Sequence, residues 1–561
     1  MNRIEFQENL IWGKLTNDKN LLQMTTYDGI SYWWNIDYLF YLYFRFLTES
    51  KGAKSAFSWR NRLIANYFGS KIGIYIFLIF EICLFLYGKL IVLLVILTQQ
   101  GKKIPREDKT TVLVNSYDGA WVATPNYLDK VIRKSDHLKD SAMETLRDKV
   151  FFICTSSFRY RKSSFKIALD RSLFWKYSYN LLNAYWSPRS WLKQKKAFNH
   201  YQKQWNMLRI DPEFKKLCQF NNFDLSNYII DEFHYYFFFL LPLCHSWVET
   251  YSTIMRSQNI SLAFISNETG HAERSSVIAA KKQGIPVLAM QHGVISPANR
   301  SYIYSKRDVD QHGSIQSPFC ILPDKIAVFG SKYRDLLVDQ GNIPESTVVV
   351  TGNPKFDKLF QMVEQFKDSD HIRKWLGVPR KGKILVWTTQ THWLSLEENL
   401  KNIDAVYSAL EEIDDDIELI IKLHPNEDQN APLYHQDPRI KPIVFGKNID
   451  IFQLIYISDL MLTKDSMTST EAIALNKPLI LLNLSGNPDI IDCVEQGVAK
   501  GIYKKEDLKK AIVNLLRDDG DLARNRDKYI LSEYHLIDGK SSYRMAQLIL
   551  SMISEKKRKK A

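Results

Sequence analysis

Two histidines that follow short apolar runs are the first residues in this chain that could do chemistry. His292 stands in Gln291-His292-Gly293, and His424 follows Lys422-Leu423 and precedes Pro425. Imidazole titrates near neutral pH, so each can take a proton or donate to a phosphate or oxyanion. Lys422 adds positive charge beside His424, and Gly293 permits a close approach beside His292. A third stretch, Ser466-Met467-Thr468-Ser469-Thr470-Glu471, sets hydroxyls where a helix is predicted to open. Amides and the positive end of a helix dipole there suit a diphosphate, and Glu471 one turn later could accept from ribose hydroxyls. Thr388, Gln390 and Asn353 occupy comparable loops. Glu268, His271, Glu273 and Arg274 follow another apolar run into a helix. Each pattern also has an ordinary structural reading, since Ser/Thr runs cap helices and His-Pro marks turns.

The elements that must position these residues are short apolar strands alternating with amphipathic helices. Strands are predicted at 110–115, 150–154, 262–266, 286–290, 325–329 and 347–351, then at 384–388, 417–422, 442–445, 460–463 and 478–483. That alternation predicts parallel sheets built from βαβ units, whose ligands bind beyond the carboxyl ends of the strands. The expected organisation is an N-terminal hydrophobic region (1–108) and a first Rossmann-like domain (109–365) with a mostly helical insertion at about 160–257. A linker (366–382), a second Rossmann-like domain (383–540), and a last helix with a basic tail (541–561) complete it. Of two Asp-x-Asp patterns, Asp414–Asp416 reads as a solvated turn and Asp308–Asp310 stays unassigned. No metal site is expected.

The chain has 561 residues and is 45% hydrophobic and 13% aromatic, which excludes disordered and low-complexity classes. Six scattered cysteines without a C-x-x-C pair point to a reducing compartment. The formal net charge is +13, of which residues 1–110 carry +5 and Lys556–Lys560 another +5, so the rest is close to balanced. Charge confined to the ends suits an anionic membrane surface better than nucleic acid. Ile72 to Leu97 holds only Glu81 and Lys89 as charges. It is long enough to cross a bilayer, or to lie in the interface with Glu81 and Lys89 on its wet side, or to pack on the protein. Monotopic or peripheral attachment at the cytoplasmic face is the favoured expectation. Trp33, Trp34 and the run Tyr38–Phe46 suit an interface or an aromatic core equally.

Taken in order, Gln-His-Gly, Val-Thr-Gly-Asn-Pro-Lys-Phe-Asp, Lys-Leu-His-Pro, Ser-x-x-x-x-Glu and Asn-Lys-Pro resemble the GT-B enzymes of surface-polysaccharide synthesis. These include capsule and sialyl-polymer glycosyltransferases, CDP-glycerol glycerophosphotransferases and UDP-N-acetylglucosamine 2-epimerases. The resemblance covers about residues 260–520. It implies an α/β GT-B fold and transfer of a sugar from a nucleotide-activated donor to a glycan or lipid-linked acceptor, without cofactor or obligatory metal. It further implies Thr388, Gln390, Lys422, His424, Ser466, Thr468, Ser469 and Glu471 around the donor nucleotide, and Gly293, Asn353, Glu268 and Arg274 as substrate contacts. His292 matches a first-domain histidine of the glycerophosphotransferase pattern. Asp118, in Tyr117-Asp118-Gly119, is the nearest match to the acidic-acidic-Gly motif that supplies a base, with tyrosine in the first acidic place. Lys464 and Met467 likewise depart from the glycerophosphotransferase pattern.

Overall fold

A computed structural model describes residues 3–49, 67, 70, 72–99, 109–115, 121–125, 132–136, 140–156, 169, 172, 177–266, 268–295, 297, 300–365, 369–379, 382–390, 394–424, 427–446, 449–464 and 466–560. Two parallel sheets organise the chain. The first holds β1 (Thr110–Asn115), β2 (Val150–Ser156), β3 (Ser178–Leu181), β4 (Ile260–Ser266), β5 (Val287–Met290), β6 (Lys325–Val328) and β7 (Val348–Val350), in the spatial order β3-β2-β1-β4-β5-β6-β7. The second holds β8 (Lys383–Thr388), β9 (Ile417–Lys422), β10 (Ile443–Phe445), β11 (Leu460–Thr463), β12 (Leu479–Leu482) and β13 (Lys500–Ile502), in the order β10-β9-β8-β11-β12-β13.

The central strands read as unbroken apolar runs because helices cover both faces. Leu460-Met461-Leu462-Thr463 and Leu479-Ile480-Leu481-Leu482 are buried at every position. Register is set in parallel, with Val114 opposite Phe264 in the first sheet and Val386 opposite Met461 in the second. In each sheet the chain starts in the middle, runs to one edge, and returns beside its starting strand. The first and fourth strands are therefore neighbours, and the loops leaving their carboxyl ends diverge there.

The last helix, Ser541–Lys560, returns to the first sheet. The Ser541 and Ser542 amides donate to the two carboxylate oxygens of Asp357 at 2.9 and 2.6 Å, and Arg544 Nε donates to the Thr351 carbonyl at 2.8 Å. Further along, Lys556 Nζ reaches the carbonyls of Ile260 and Ser261. In chain order the amphipathic helix Ser369–Leu376 comes between the two sheets, with Ile372 and Leu376 buried. The stretch 160–257, read as mostly helical, also supplies β3, which extends the first sheet.

The N-terminal aromatics form core. Trp33, Trp34, Phe40 and Phe44 are buried, and Trp34 Nε1 donates to the Pro318 carbonyl at 2.9 Å. The apolar stretch is one helix, Gly73–Gln99. Phe77, Leu84, Ile91 and Val95 form its buried stripe, packed with Leu181, Phe239 and Leu243. Glu81 does not lie on a wet side. It is buried in that stripe and accepts a hydrogen bond from Asn183 Nδ2 at 3.1 Å. Gly88 admits the close approach, since a Cβ there would stand 2.9 Å from Ala184.

Candidate functional site

Thr388 ends β8 and Thr463 ends β11, the neighbouring strands of the second sheet. Thr463 Oγ1 donates to the Thr388 carbonyl at 3.2 Å, and Thr388 Oγ1 lies 2.7 Å from Thr468 Oγ1. These hydroxyls tie the two diverging loops together at the point where a ligand of such a sheet binds. Beside them is a small cleft, lined by Thr388, Thr389, Gln390, Asn399 and Lys464 among others. Its hydroxyls, amides and the Lys464 ammonium stand beside Trp387, Leu394 and Leu482, a mixed polar and apolar wall.

The helix after Ser466 covers only Thr468–Ala474, and its first amides are already engaged. Thr468 N–H donates to Ser466 Oγ at 3.2 Å and Ser469 N–H to the Ser466 carbonyl at 3.0 Å. The Ser469 hydroxyl donates to that same carbonyl at 2.6 Å and is fully buried. Ser469 therefore offers neither group to a ligand, which corrects the expectation of a phosphate contact from its hydroxyl. Ser466 and Thr468 keep oxygen atoms on the partly exposed side.

His424 is half-buried at the end of β9, and its backbone N–H donates to Thr389 Oγ1 at 3.3 Å. Thr389 Oγ1 donates in turn to Glu427 Oε2 at 2.6 Å, and the Glu427 amide closes the turn on the His424 carbonyl at 2.9 Å. Glu427, wholly buried, thus braces the loop that carries the histidine. Sequence reasoning passed over it; its one signal was a carboxylate three residues beyond the histidine. Lys422 is mostly buried and turns its ammonium back to the Leu423 carbonyl at 2.9 Å.

In the first domain, Gln291 does the bracing. Its amide donates to the Gly293 carbonyl at 2.8 Å and its carbonyl oxygen accepts from the Phe329 amide at 2.8 Å. His292 between them is half-buried. A Cβ on Gly293 would meet no atom within 4 Å, so open space borders the imidazole loop. Glu268 is buried near the end of β4. Asn353 is buried too and receives the Lys355 amide on its side chain at 3.0 Å, opening the helix Pro354–Gln365.

Arg274 corrects an expectation. Its guanidinium is buried against Cys320 Sγ at 3.1 Å, the Ile321 carbonyl at 3.2 Å and Tyr304 OH at 3.2 Å, leaving no face for a substrate. Asp308 is likewise structural, buried in a 2.5 Å pair with Arg300 and receiving Trp12 Nε1 at 2.8 Å. Asp310 caps the turn at His312 and Ser314, and Asp414–Asp416 is exposed. Among the described residues no cluster of three or more His, Cys, Asp or Glu is placed to hold a metal. Asp118 and His392 lie outside the described residues.

The two domains meet through Lys355, just beyond β7, whose ammonium pairs with Glu471, just beyond β11. Burial pushes the Glu471 carboxyl up while Lys355 pulls it back, and its second oxygen is buried without a hydrogen bond. Glu471 thus faces the first domain rather than open solvent. A second link joins Lys332 to Asp492 at 2.7 Å and to Glu533, which also takes the Tyr333 hydroxyl. The carboxyl edges of the two sheets therefore face each other, the GT-B arrangement.

Residues 327–550 match the family model of UDP-N-acetylglucosamine 2-epimerase. This part of the chain is similar to that family. The matched segment is less than half of the chain and runs from β6 into the last helix. No curated protein matches the sequence. Among solved structures, the UDP-GlcNAc 2-epimerase from Neisseria meningitidis bound to UDP-GlcNAc is 14% identical, with 79% of this chain and 100% of that one covered at a TM-score of 0.48. The Methanocaldococcus jannaschii UDP-GlcNAc 2-epimerase in complex with UDP-GlcNAc and UDP is 13% identical over 79% and 100%, with a TM-score of 0.47. The wall teichoic acid polymerase TagF is 12% identical over 87% and 99%, with a TM-score of 0.44. The fold assignment rests on strand order and register rather than on these likenesses.

Proposed function

We propose that this chain is a glycosyltransferase that moves a sugar from a nucleotide-activated donor to a glycan or lipid-linked acceptor in cell-surface polysaccharide synthesis. The observation that carries the proposal is the meeting of the two carboxyl edges. In this reading the Gln291-His292-Gly293 loop, beyond the carboxyl end of β5, works with the Thr388, His424 and Ser466 loops beyond the carboxyl ends of the second sheet. The second domain holds the nucleotide. Lys422 and His424 offset the charge of the departing diphosphate, Ser466 and Thr468 donate hydrogen bonds to it, Thr388 and Gln390 line its approach, and Glu471 takes the ribose after releasing Lys355. His292 or Asp118 takes the acceptor proton, an effect of roughly 10²–10⁴-fold. The exposed apolar helix supports work at the cytoplasmic face of a membrane, where a lipid-linked acceptor would be found.

A second reading, epimerisation of a UDP-sugar, draws on the family match at residues 327–550. It gives the apolar helix no task. Turnover of donor without any acceptor would favour it, whereas activity only with a glycan or lipid acceptor favours the transferase.

The direct test is a melting-temperature screen against UDP-, CDP-, GDP- and CMP-linked donors, repeated on His424→Ala. At a donor concentration of 100 Kd the expected stabilisation is about 2.7 kcal/mol. The shift should appear with one nucleotide and disappear in the variant. No shift with any donor would sink both enzymatic readings.

A further inference from the structure

The helix Gly73–Gln99 presents two faces of opposite fate. One is docked along its length, through Phe77, Glu81, Leu84, Gly88, Ile91 and Val95. The other is mostly apolar and open, with Ile76, Ile79, Leu86, Leu90, Leu93 and Leu97 all exposed and Lys89 the charged residue at its border, its ammonium over the Phe85 and Tyr185 rings. A 27-residue helix runs about 40 Å, so this is a long continuous stripe. Open apolar stripes of that extent mark a contact surface.

Its neighbour, the helix Pro188–Leu208, carries Arg189, Lys193, Lys195, Lys196 and Lys203 and no acidic residue. Lys195 Nζ donates to Tyr75 OH at 2.7 Å and lies 5.0 Å over the Trp191 ring. Tyrosine, tryptophan and lysine at the margin of an apolar stripe are the groups that sit at a bilayer's headgroup level. Arg189 and Lys193 pair with Glu249 and Asp28, so the charge that complements anionic lipid at this margin is that of Lys195 and Lys196.

We propose that Gly73–Gln99 lies in the plane of an anionic bilayer, with the Ile76–Leu97 stripe in the acyl region and Tyr75, Trp191, Lys195 and Lys196 among the headgroups. The helix does not span. Its inner stripe packs on Leu181 of β3, the edge strand of the first sheet, and buries the Glu81–Asn183 hydrogen bond. Crossing the bilayer would strip that pair or draw a sheet edge into hydrocarbon, where its backbone groups find no partners. A second copy of the chain is a poorer occupant, because a two-fold contact would set the same basic margin against itself. The proposal sharpens the membrane part of the proposed function and is independent of the donor.

Cys83 offers a native probe, being the exposed cysteine on this helix while the other five are buried. The full chain, labelled there with an environment-sensitive fluorophore, should float with vesicles of phosphatidylcholine and phosphatidylglycerol and shift its emission to the blue. Leu86→Asp with Leu90→Asp should lower the bound fraction about tenfold or more, without changing the melting temperature in lipid-free solution. Lys195→Glu with Lys196→Glu should weaken binding to the anionic vesicles and leave donor-induced melting shifts in place. If the chain binds neither vesicle type, the membrane reading itself fails while the donor reading stands. If it floats with the probe still in water, or the double aspartate variant floats like the parent, the in-plane assignment is wrong. Protease protection of both helix ends on opposite sides of the vesicle would replace it with a span. Loss of a dimer with unchanged flotation would replace it with a second copy.

Discussion

Both sheets set their first and fourth strands side by side, yet the two junctions are furnished differently. In the first sheet Asn115 closes the end of β1, donating to Tyr251 OH at 2.9 Å and approaching Ser276 Oγ at 3.4 Å. The helix after β4 is sealed by Arg274, and around it lies a wholly buried set of Asp37, Arg300 and Asp308. In the second sheet the same topological point carries small hydroxyls, Thr388, Thr463 and Thr468, beside an open cleft. The lesson is that topology offers a site and side-chain size and charge decide whether it stays open. Among the described residues, the first junction is filled by large buried polar groups and the second by small hydroxyls.

The sealed side should break most severely. Arg300→Met leaves Asp308 as an uncompensated buried carboxylate and should cost about 3–5 kcal/mol by denaturant titration. If the two junctions are functionally distinct, donor-induced melting shifts will persist in the folded fraction. A pH series on Asp37 sharpens the same contrast. Burial raises its carboxyl from 3.8 to about 7, against the pull of Arg274 and Arg300. Above about pH 4 the unfolded chain gives up this proton while the folded chain keeps it. The contribution to stability is therefore complete below pH 4 and is lost as pH rises through about 7. At about 1.4 kcal/mol per unit the loss is on the order of 4 kcal/mol, and Asp37→Asn should flatten the wild-type stability profile across that window.

On the open side the effects are smaller and fall on binding. His424→Ala should erase the donor shift while the backbone bond to Thr389, which the substitution keeps, holds the loop in place. Thr388→Val removes the bond to Thr468 and should cost roughly 1 kcal/mol, with a weakened donor shift as its specific readout. An equal loss of stability with an unchanged donor shift would mean that these hydroxyls only tie loops together.

Much of this was legible beforehand, for physical reasons that differ between elements. Runs such as Leu479–Leu482 announce a strand covered on both faces, because the run is too short for a buried helix and follows the breaker Pro478. The strand at Ser178–Leu181 was missed because its residues, Ser-Tyr-Asn-Leu, carry no such run and pair only at an edge. Ser466 and the threonines after it were read both as a phosphate cradle and as a cap. Ser466 Oγ does accept the Thr468 amide, and what sequence could not give is that Thr388 Oγ1, 80 residues away, meets Thr468 Oγ1. Sequence leaves Glu81 open between a wet side and a packed one, because a carboxylate in an apolar helix shows no partner among its near neighbours. Its partner, Asn183, lies 102 residues away.

Local order was therefore set by the chain itself: where apolar runs alternate, which loops carry histidines and hydroxyls, and that residues 72–97 shun water. Those properties depend on near neighbours, and a sequence states its near neighbours directly. What only tertiary structure decided is which polar group meets which. It sealed Arg274 inside the first domain, joined Lys355 to Glu471 across the cleft, and docked one face of the apolar helix while leaving the other open. Such pairings join residues tens to hundreds of positions apart, and only packing of the whole chain brings them within bonding distance.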